Sequence, residues 1–297
     1  MSEPDFARRP LIGTLVIQGV GLIGGSLGMA AKKHALAGEV IGIGRDSSRL
    51  DAAVQLGAID RYVVADGTGA IAEACSFGDL IVLCTPVSHI IRDLPAVLGA
   101  ADPGAFVTDV GSVKEAIVHA SCGDPRFVGS HPMAGSEMAG VHSAKPDLFN
   151  DATWALTPTE YTYPAALAMV RRFAQEAGAR TRILPAALHD QAVALTSHLP
   201  HLLAYALAGF AADRSVDNPD LPHLAAGSFA SATRVAASLP SLWSDIARAN
   251  QSSLGTALRD YRARLDEMQT AIDTGDWDTL DRLFQEGFDA KRGWAGR

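Results

Sequence analysis

The chain has 297 residues, 48% of them hydrophobic and 20% charged, with a formal net charge of −8. That length suits two domains, the apolar fraction excludes a disordered chain, and the acidic balance excludes the broad basic face that nucleic acid requires. Cys75, Cys84 and Cys122 are widely separated, so neither a disulfide framework nor a zinc knuckle is expected, and a reducing cytoplasm fits. The N-terminus lacks the apolar core of a signal peptide, and the longest apolar run, residues 202–212, is shorter than the about 20 residues that span a bilayer. The expectation is a cytoplasmic protein with no membrane or nucleic-acid partner.

Residues 11–18 read as a β-strand that runs into Gly19-Val-Gly-Leu-Ile-Gly24, followed by a helical stretch over 29–37 and a second strand over 39–44. Strand, glycine turn, helix and strand make a βαβ unit of the Rossmann type, which holds a dinucleotide. Gly19 permits the tight turn, Gly21 lets a pyrophosphate approach the backbone, and Gly24 lets helix and strand pack closely. Leu22 and Ile23 lie between them, where the helix offers free N–H groups and its positive dipole. An NAD-binding unit carries a carboxylate about twenty residues further on. Here the second strand ends in Gly44-Arg45, with Ser47 and Arg49 close behind. A guanidinium suits a 2′-phosphate, so the site favours NADP over NAD. Asp46 keeps NAD open, and a solvated loop cation is the plainer reading of Arg45.

Further strands are expected over 61–64, 79–85 and 105–109, with helices over 69–75 and 88–98 between them. Continuous apolar strands alternating with helices imply a parallel sheet covered on both faces. Ligands then bind beyond the carboxyl ends of strands, where Thr85-Pro86 and Asp109-Val-Gly-Ser112 fall. Ser112-Val-Lys-Glu115 reads first as a capping box, S-x-x-E, although a hydroxyl at a helix start can also meet a substrate oxygen. Lys114 reads as a surface or cofactor-edge residue. A strand end over 126–129 leads into Gly129-Ser-His-Pro-Met-Ala-Gly-Ser-Glu137, a glycine-rich loop in which His131 is the candidate catalytic base. An ordinary loop histidine is the plainer reading of it. Strands over 153–157 and 180–184 flank a helix over 164–177.

After residue 184 no convincing strand follows, which divides the chain into a dinucleotide-binding domain, 1–184, and an all-helical domain, 185–297. Ser197 and His201 lie four apart on one helical face, with Pro200 expected to interrupt the helix there. His198 and His201 have no cysteine or carboxylate in metal-ligand spacing, so packing or hydrogen-bonding histidines are expected and no metal. Arg234 stands among small and apolar residues and needs an anion, either a substrate carboxylate or an internal salt-bridge partner. Leu254, Leu258, Tyr261, Leu265, Met268 and Ile272 form a heptad stripe on a long helix starting near Asn250, suited to packing within the domain, to a dimer face, or to both. Gly275 ends that helix and a last one follows.

Together, Gly19-Val-Gly-Leu-Ile-Gly-Gly-Ser26, Thr108-Asp-Val-Gly-Ser-Val-Lys114, Gly129-Ser-His-Pro-Met-Ala-Gly-Ser-Glu137, Ser197-His-Leu-Pro-His201 and Thr233-Arg234 resemble the prephenate/arogenate dehydrogenase family of tyrosine biosynthesis, nearly end to end. The resemblance implies a Rossmann domain followed by a helical dimerisation domain, a homodimer, and NAD(P)-dependent oxidative decarboxylation of prephenate or arogenate. It implies that His131 accepts the ring hydroxyl's proton, that Ser112 hydrogen-bonds the same hydroxyl, and that Arg234 clamps a carboxylate. His201 would support the substrate, with Ser136, Glu137 and Ser197 lining the pocket. Ala230 stands where some relatives carry a lysine, which leaves open how the substrate's side-chain end is held. No fused regulatory or chorismate mutase domain is expected. The competing readings are another two-domain NAD(P) oxidoreductase, of the β-hydroxyacid dehydrogenase or imine reductase type, and a sensor that binds NADP without turnover.

Overall fold

The computed structural model describes residues 10–135 and 138–294. Its first half alternates strand and helix: β1 (Ile12–Gln18), α1 (Leu22–Lys33), β2 (Ala37–Gly44), α2 (Ser47–Gln55), β3 (Arg61–Val64), α3 (Thr68–Cys75), β4 (Leu80–Leu83), α4 (Val87–Ala100), β5 (Phe106–Asp109), α5 (Glu115–Ala120) and β6 (Phe127–Pro132). Then come β7 (Thr153–Thr157), α6 (Pro164–Glu176) and β8 (Arg180–Ile183). Strand 1 begins one residue later than the sequence suggests, and α1 begins at Leu22 rather than near Met29, because the helix starts directly on the glycine turn with Gly21 at its cap position.

The eight strands form one sheet in the order β3-β2-β1-β4-β5-β6-β7-β8. β1 to β6 are mutually parallel, β7 runs antiparallel to β6, and β8 parallel to β7. The reversal at β7 departs from the all-parallel expectation. A parallel return needs a crossover, normally a helix; the described part of the β6–β7 connection carries only a short 3₁₀ turn, Val141–Ser143.

Successive side chains of a strand face opposite sides, and the cores divide accordingly. Leu15, Ile17, Leu80 and Val82 pack with Leu27 and Ala30 of α1 and Val170 and Phe173 of α6. Val16, Ile81 and Leu83 point the other way, into Ile71 of α3, Ile90 and Leu94 of α4 and Ile117 of α5. With both faces covered, every residue of β4 is buried, which explains its unbroken apolar run. Each such side chain contributes roughly 1.5–3 kcal/mol on burial.

After β8 every described element is helical. α7 (Ala186–Val193) passes through a π turn, Ala194–His198, directly into α8 (Leu199–Ser215). The interruption expected at Pro200 does not occur, since Pro200 sits in the first turn of α8 just beyond the π turn, where a missing N–H is tolerated. Ala186–Ser215 is therefore one 30-residue helix, long and apolar enough by length and composition to cross a membrane. The sequence reading missed this by counting only residues 202–212. α9 (Leu221–Leu224), α10 (Gly227–Thr233), a 3₁₀ turn (Arg234–Ala237) and α11 (Pro240–Ala249) complete a compact unit that reaches Asn250.

Two carboxylates hold these helices to the carboxyl edge of the sheet. Asp245 of α11 accepts the Ser88 N–H at the start of α4, at 3.0 Å, and Asp190 of α7 accepts N–H groups at the start of α5. Each satisfies donors that a helix leaves unpaired at its N-terminus.

The second unit, from Gln251 onward, contains α12 (Gln251–Thr274) and α13 (Trp277–Trp294), separated at Gly275, whose φ of 69° suits a helix end. Arg264 and Arg282 each pair with both Glu267 and Glu286, a network that ties α12 to α13. Of the heptad stripe, Leu254 is buried, whereas Leu265 and Ile272 are exposed.

Candidate active site

The glycine turn fits a dinucleotide phosphate. Gly19 has φ +92°, and Gly24 is forced by packing, since a Cβ there would sit 2.2 Å from the Gly19 carbonyl oxygen and 2.9 Å from Ile17. Gly21 faces open space and its helix has no side-chain cap. The protein thus leaves the first turn of α1, with Leu22 and Ile23, open to an anion. Beside it, Thr85 Oγ1 is buried without a hydrogen-bond partner, and its methyl group crowds Gly19. An orphan hydroxyl beside the glycine turn calls for a ligand or water. At the end of β2, Arg45 and Ser47 are exposed. Asp46 caps α2, accepting from Ser48 N, Ser48 Oγ and Arg49 N, and these bonds lower its carboxyl pKa.

The next layer is a buried ion pair. Lys114 has no exposed surface, so the surface or cofactor-edge placement read from the sequence is wrong. Its ammonium donates to Asp109 and, at 2.7 Å, to the Ser130 carbonyl. Asp109 also accepts from Gly111 N at 2.7 Å and Ser130 N at 3.0 Å. Burial pushes the Asp109 carboxyl up and the Lys114 ammonium down, each opposed by the partner's charge. Trp154 Nε1 donates to Ser130 Oγ at 3.0 Å. Ser130 is thereby pinned through backbone and side chain, and it is the residue before His131.

The capping box read at Ser112 does not form. α5 starts at Glu115, and the Lys114 and Glu115 N–H groups donate to the Asp190 carboxylate at 2.7 and 2.9 Å. The carboxylate arriving from α7 replaces the local serine cap, leaving Ser112 half-buried beyond the end of β5.

His131 lies near the carboxyl end of β6, paired across the ladder with Ala155. Its Nδ1 is 2.9 Å from His189 Nε2, and His189 Nδ1 is 2.7 Å from Asp190 Oδ1. Burial, followed by electrostatic coupling to His189, Lys114 and His198, holds the His131 pKa well below the ordinary histidine value, so the ring is neutral and can accept a proton. Asn250 anchors the group from behind, its amide donating to the Asp190 carbonyl at 2.9 Å and to His198 Nδ1 at 3.1 Å. Burial pushes His198 down to about 4.

A second cluster adjoins the first through His198, whose ring meets Trp243 edge-on at 6.0 Å. His201 stacks on Trp243 at 3.5 Å. Its Nδ1 donates to the Ser197 carbonyl at 2.9 Å, which leaves Nε2 as an acceptor on the neutral ring. Burial and the nearby Arg234 charge lower the His201 pKa. Arg234 opens the 3₁₀ turn after α10 and is exposed, not enclosed as its apolar neighbours in sequence suggested. Buried Trp243 Nε1 and His198 Nε2 have no hydrogen-bond partner.

The fold therefore gathers His131, Lys114, His189, Asp190, His198 and Asn250 in one cluster and Ser197, His201, Trp243 and Arg234 in another. Ser136 and Glu137 lie outside the described residues. Among the described residues, no group of three or more His, Cys, Asp or Glu side chains could hold a metal ion. Sequence reasoning missed His189, Asp190, Trp243 and Asn250. The adjacent His189-Asp190 pair at the start of a helical series was the available signal.

Residues 27–183 match the family model for the nucleotide-binding domain of prephenate dehydrogenase, and residues 185–286 match that for its dimerization domain. The cyclohexadienyl dehydrogenase of Zymomonas mobilis is 34% identical over 281 residues, 93% of this chain and 94% of the relative. The prephenate dehydrogenase of Bacillus subtilis is 31% identical over 285 residues, 94% of this chain and 76% of the relative. Among solved structures, prephenate dehydrogenase from A. aeolicus in complex with hydroxyphenyl propionate and NAD+ superposes with a TM-score of 0.86 at 28% identity, covering 94% of this chain and 98% of that one. Synechocystis arogenate dehydrogenase does so at 0.78 and 34%, covering 95% and 99%. With both halves matched in order, this chain belongs to the prephenate/arogenate dehydrogenase family and is a nicotinamide-dependent dehydrogenase.

Proposed function

We propose that the chain oxidatively decarboxylates prephenate, arogenate or both, with His131 as the proton acceptor and NADP as the preferred cofactor. The observation that carries the reading is the setting of His131. It is a neutral imidazole at the carboxyl end of a sheet strand, with one nitrogen committed to His189 and the other left for a ligand. The Z. mobilis, B. subtilis and Synechocystis relatives support the substrate class.

In this mechanism, bound NAD(P)+ supplies the hydride acceptor. Gly19, Gly21, Leu22, Ile23 and Gly24 would receive its pyrophosphate, with Thr85 and Pro86 beside them. His131 takes the proton of the ring hydroxyl at Nε2 while hydride leaves the same carbon. The carboxylate carbon–ring bond then breaks, CO₂ departs, and the bonding pair aromatises the ring as a phenolate, which recovers the proton from His131. Ser112 holds the hydroxyl oxygen, Arg234 the carboxylate, and His201 the substrate through its acceptor nitrogen; Ser197, Ser136 and Glu137 complete the lining. We place the division between the cofactor-binding and helical domains at Leu184.

The preference for NADP rests on Arg45 and Ser47, exposed at the end of β2, while the Asp46 carboxylate is engaged as a helix cap. Arg45→Ala is expected to lower kcat/KM with NADP by roughly 10–100-fold, the loss of one charge-assisted contact, and to change kcat/KM with NAD little. Equal loss with both cofactors would sink the assignment. A homodimer fits the family's dimerization domain and the exposed Leu202, Leu207 and Phe210 of α8. A single-chain mass in sedimentation would contradict it.

A further inference from the structure

We propose that His189 and Asp190 are positioning residues of a buried relay, His131–His189–Asp190, that presents the His131 lone pair on Nε2 and draws off the positive charge the ring acquires. The proposal rests on the reading of His131 as the proton acceptor.

Hydrogen-bond directions decide the tautomers. Asp190 accepts a backbone N–H at each of its carboxylate oxygens, at 2.7 and 2.9 Å, so both oxygens are engaged as acceptors. The third group facing it, His189 Nδ1 at 2.7 Å, must then donate. A neutral His189 with its proton on Nδ1 carries its lone pair on Nε2. That lone pair faces His131 Nδ1 at 2.9 Å, so His131 donates there and is left with its own lone pair on Nε2. The rings meet edge to face, 68° apart, rather than stacking. In the reversed arrangement His131 would hold its proton on Nε2 and could not serve as the base. The backbone amides at the start of α5 thus set, through two side chains, which nitrogen of His131 is basic.

Charge makes the second half of the case. When His131 gains a proton at Nε2 it becomes a cation in a site that also contains the Lys114 ammonium, at the start of α5, and the His198 ring of the π turn. Asp109 faces Lys114 but is spent on that ion pair. Among the described residues, the carboxylate hydrogen-bonded to this histidine pair is Asp190, one imidazole away from His131. As the N–H bond at His131 Nδ1 breaks and one forms at His189 Nε2, the positive charge moves beside Asp190 and His131 stays neutral. The reverse transfer returns the proton when the phenolate oxygen takes one from Nε2. No electrons are exchanged and no outside proton donor is needed.

The test compares kcat, KM and the pH profile of kcat for four variants of the full chain, with folding followed by circular dichroism. His189→Leu removes the acceptor and is expected to lower kcat by about 10²-fold with KM within about threefold. His189→Gln keeps an acceptor oxygen for His131 Nδ1 but cannot pass a proton, so it recovers part of that loss. Asp190→Asn keeps one oxygen for His189 and Lys114 and removes the charge; kcat falls by about tenfold and the acidic limb of its pH profile moves to lower pH, because the cation has lost its balancing anion. A purely structural role would leave that limb in place. Folded His189→Leu with unchanged kcat, or folded Asp190→Asn with an unmoved limb, overturns the relay. His131→Asn separates the two claims: if it loses kcat while the relay variants do not, the base stands and the relay falls, and if it keeps kcat both fall.

Discussion

His131→Asn lowers kcat by roughly 10²–10⁴-fold, the usual contribution of a positioned general base, with little change in cofactor affinity. Asparagine keeps a polar group near Nδ1 and so preserves the contact with His189, while the basic Nε2 is lost. In the parent protein kcat/KM holds steady through neutral pH and falls on the acid side, with an apparent pKa below the ordinary histidine value. The sign follows from the setting: burial and the Lys114 charge favour the neutral ring, so the base survives to lower pH before protonation removes it. Steady-state kinetics across pH check both statements. A fall in activity already above neutral pH would place the titrating base elsewhere. With Arg234 as the proposed carboxylate clamp, Arg234→Gln is expected to raise substrate KM more than it lowers kcat, since such a contact would act in ground state and transition state alike.

Lys114→Met destabilises the fold by about 3–5 kcal/mol, because it strands the Asp109 carboxylate with its counter-ion gone. Both side chains are fully buried, so neither is rescued by bulk water. Asp109 and Lys114 also hold Ser130 by its backbone N–H and carbonyl, at 3.0 and 2.7 Å, so activity should fall with stability even in conditions where the variant is folded. Urea unfolding measures the first effect and kcat below the transition measures the second. A loss of less than about 1 kcal/mol would mean that the pair is reached by solvent or that Asp109 is neutral in the native state.

Much of the sheet was legible because its physics is local. Alternation of apolar strands and helices marks β1 through β6, and the glycines at 19 and 24 are dictated by a positive φ and by a contact that a Cβ would violate. What escaped depends on contacts between distant residues. Ser112 has the spacing of a cap, but the cap comes from Asp190, 75 and 76 residues beyond the N–H groups it satisfies. Lys114 looked solvated beside Glu115, yet the strand end at Asp109 draws it inward. Pro200 reads as a break, and the π turn before it lets the helix continue. His189 and Asp190 carry no motif of their own; their meaning appears only when α7 is laid against β6 and α5. The motifs around His131, His201 and Arg234 were legible in the sequence, whereas the side chains packed against them, His189, Asp190, Trp243 and Asn250, were not.

The most direct test of the central claim is to follow the absorbance of reduced cofactor on mixing the protein with prephenate or arogenate and NADP or NAD. The account predicts reduction with at least one of the two substrates, faster with NADP, accompanied by release of one CO₂ per cofactor reduced. No reduction with either substrate, in a preparation that binds the cofactor tightly, would contradict it and leave a dinucleotide-binding protein without this chemistry.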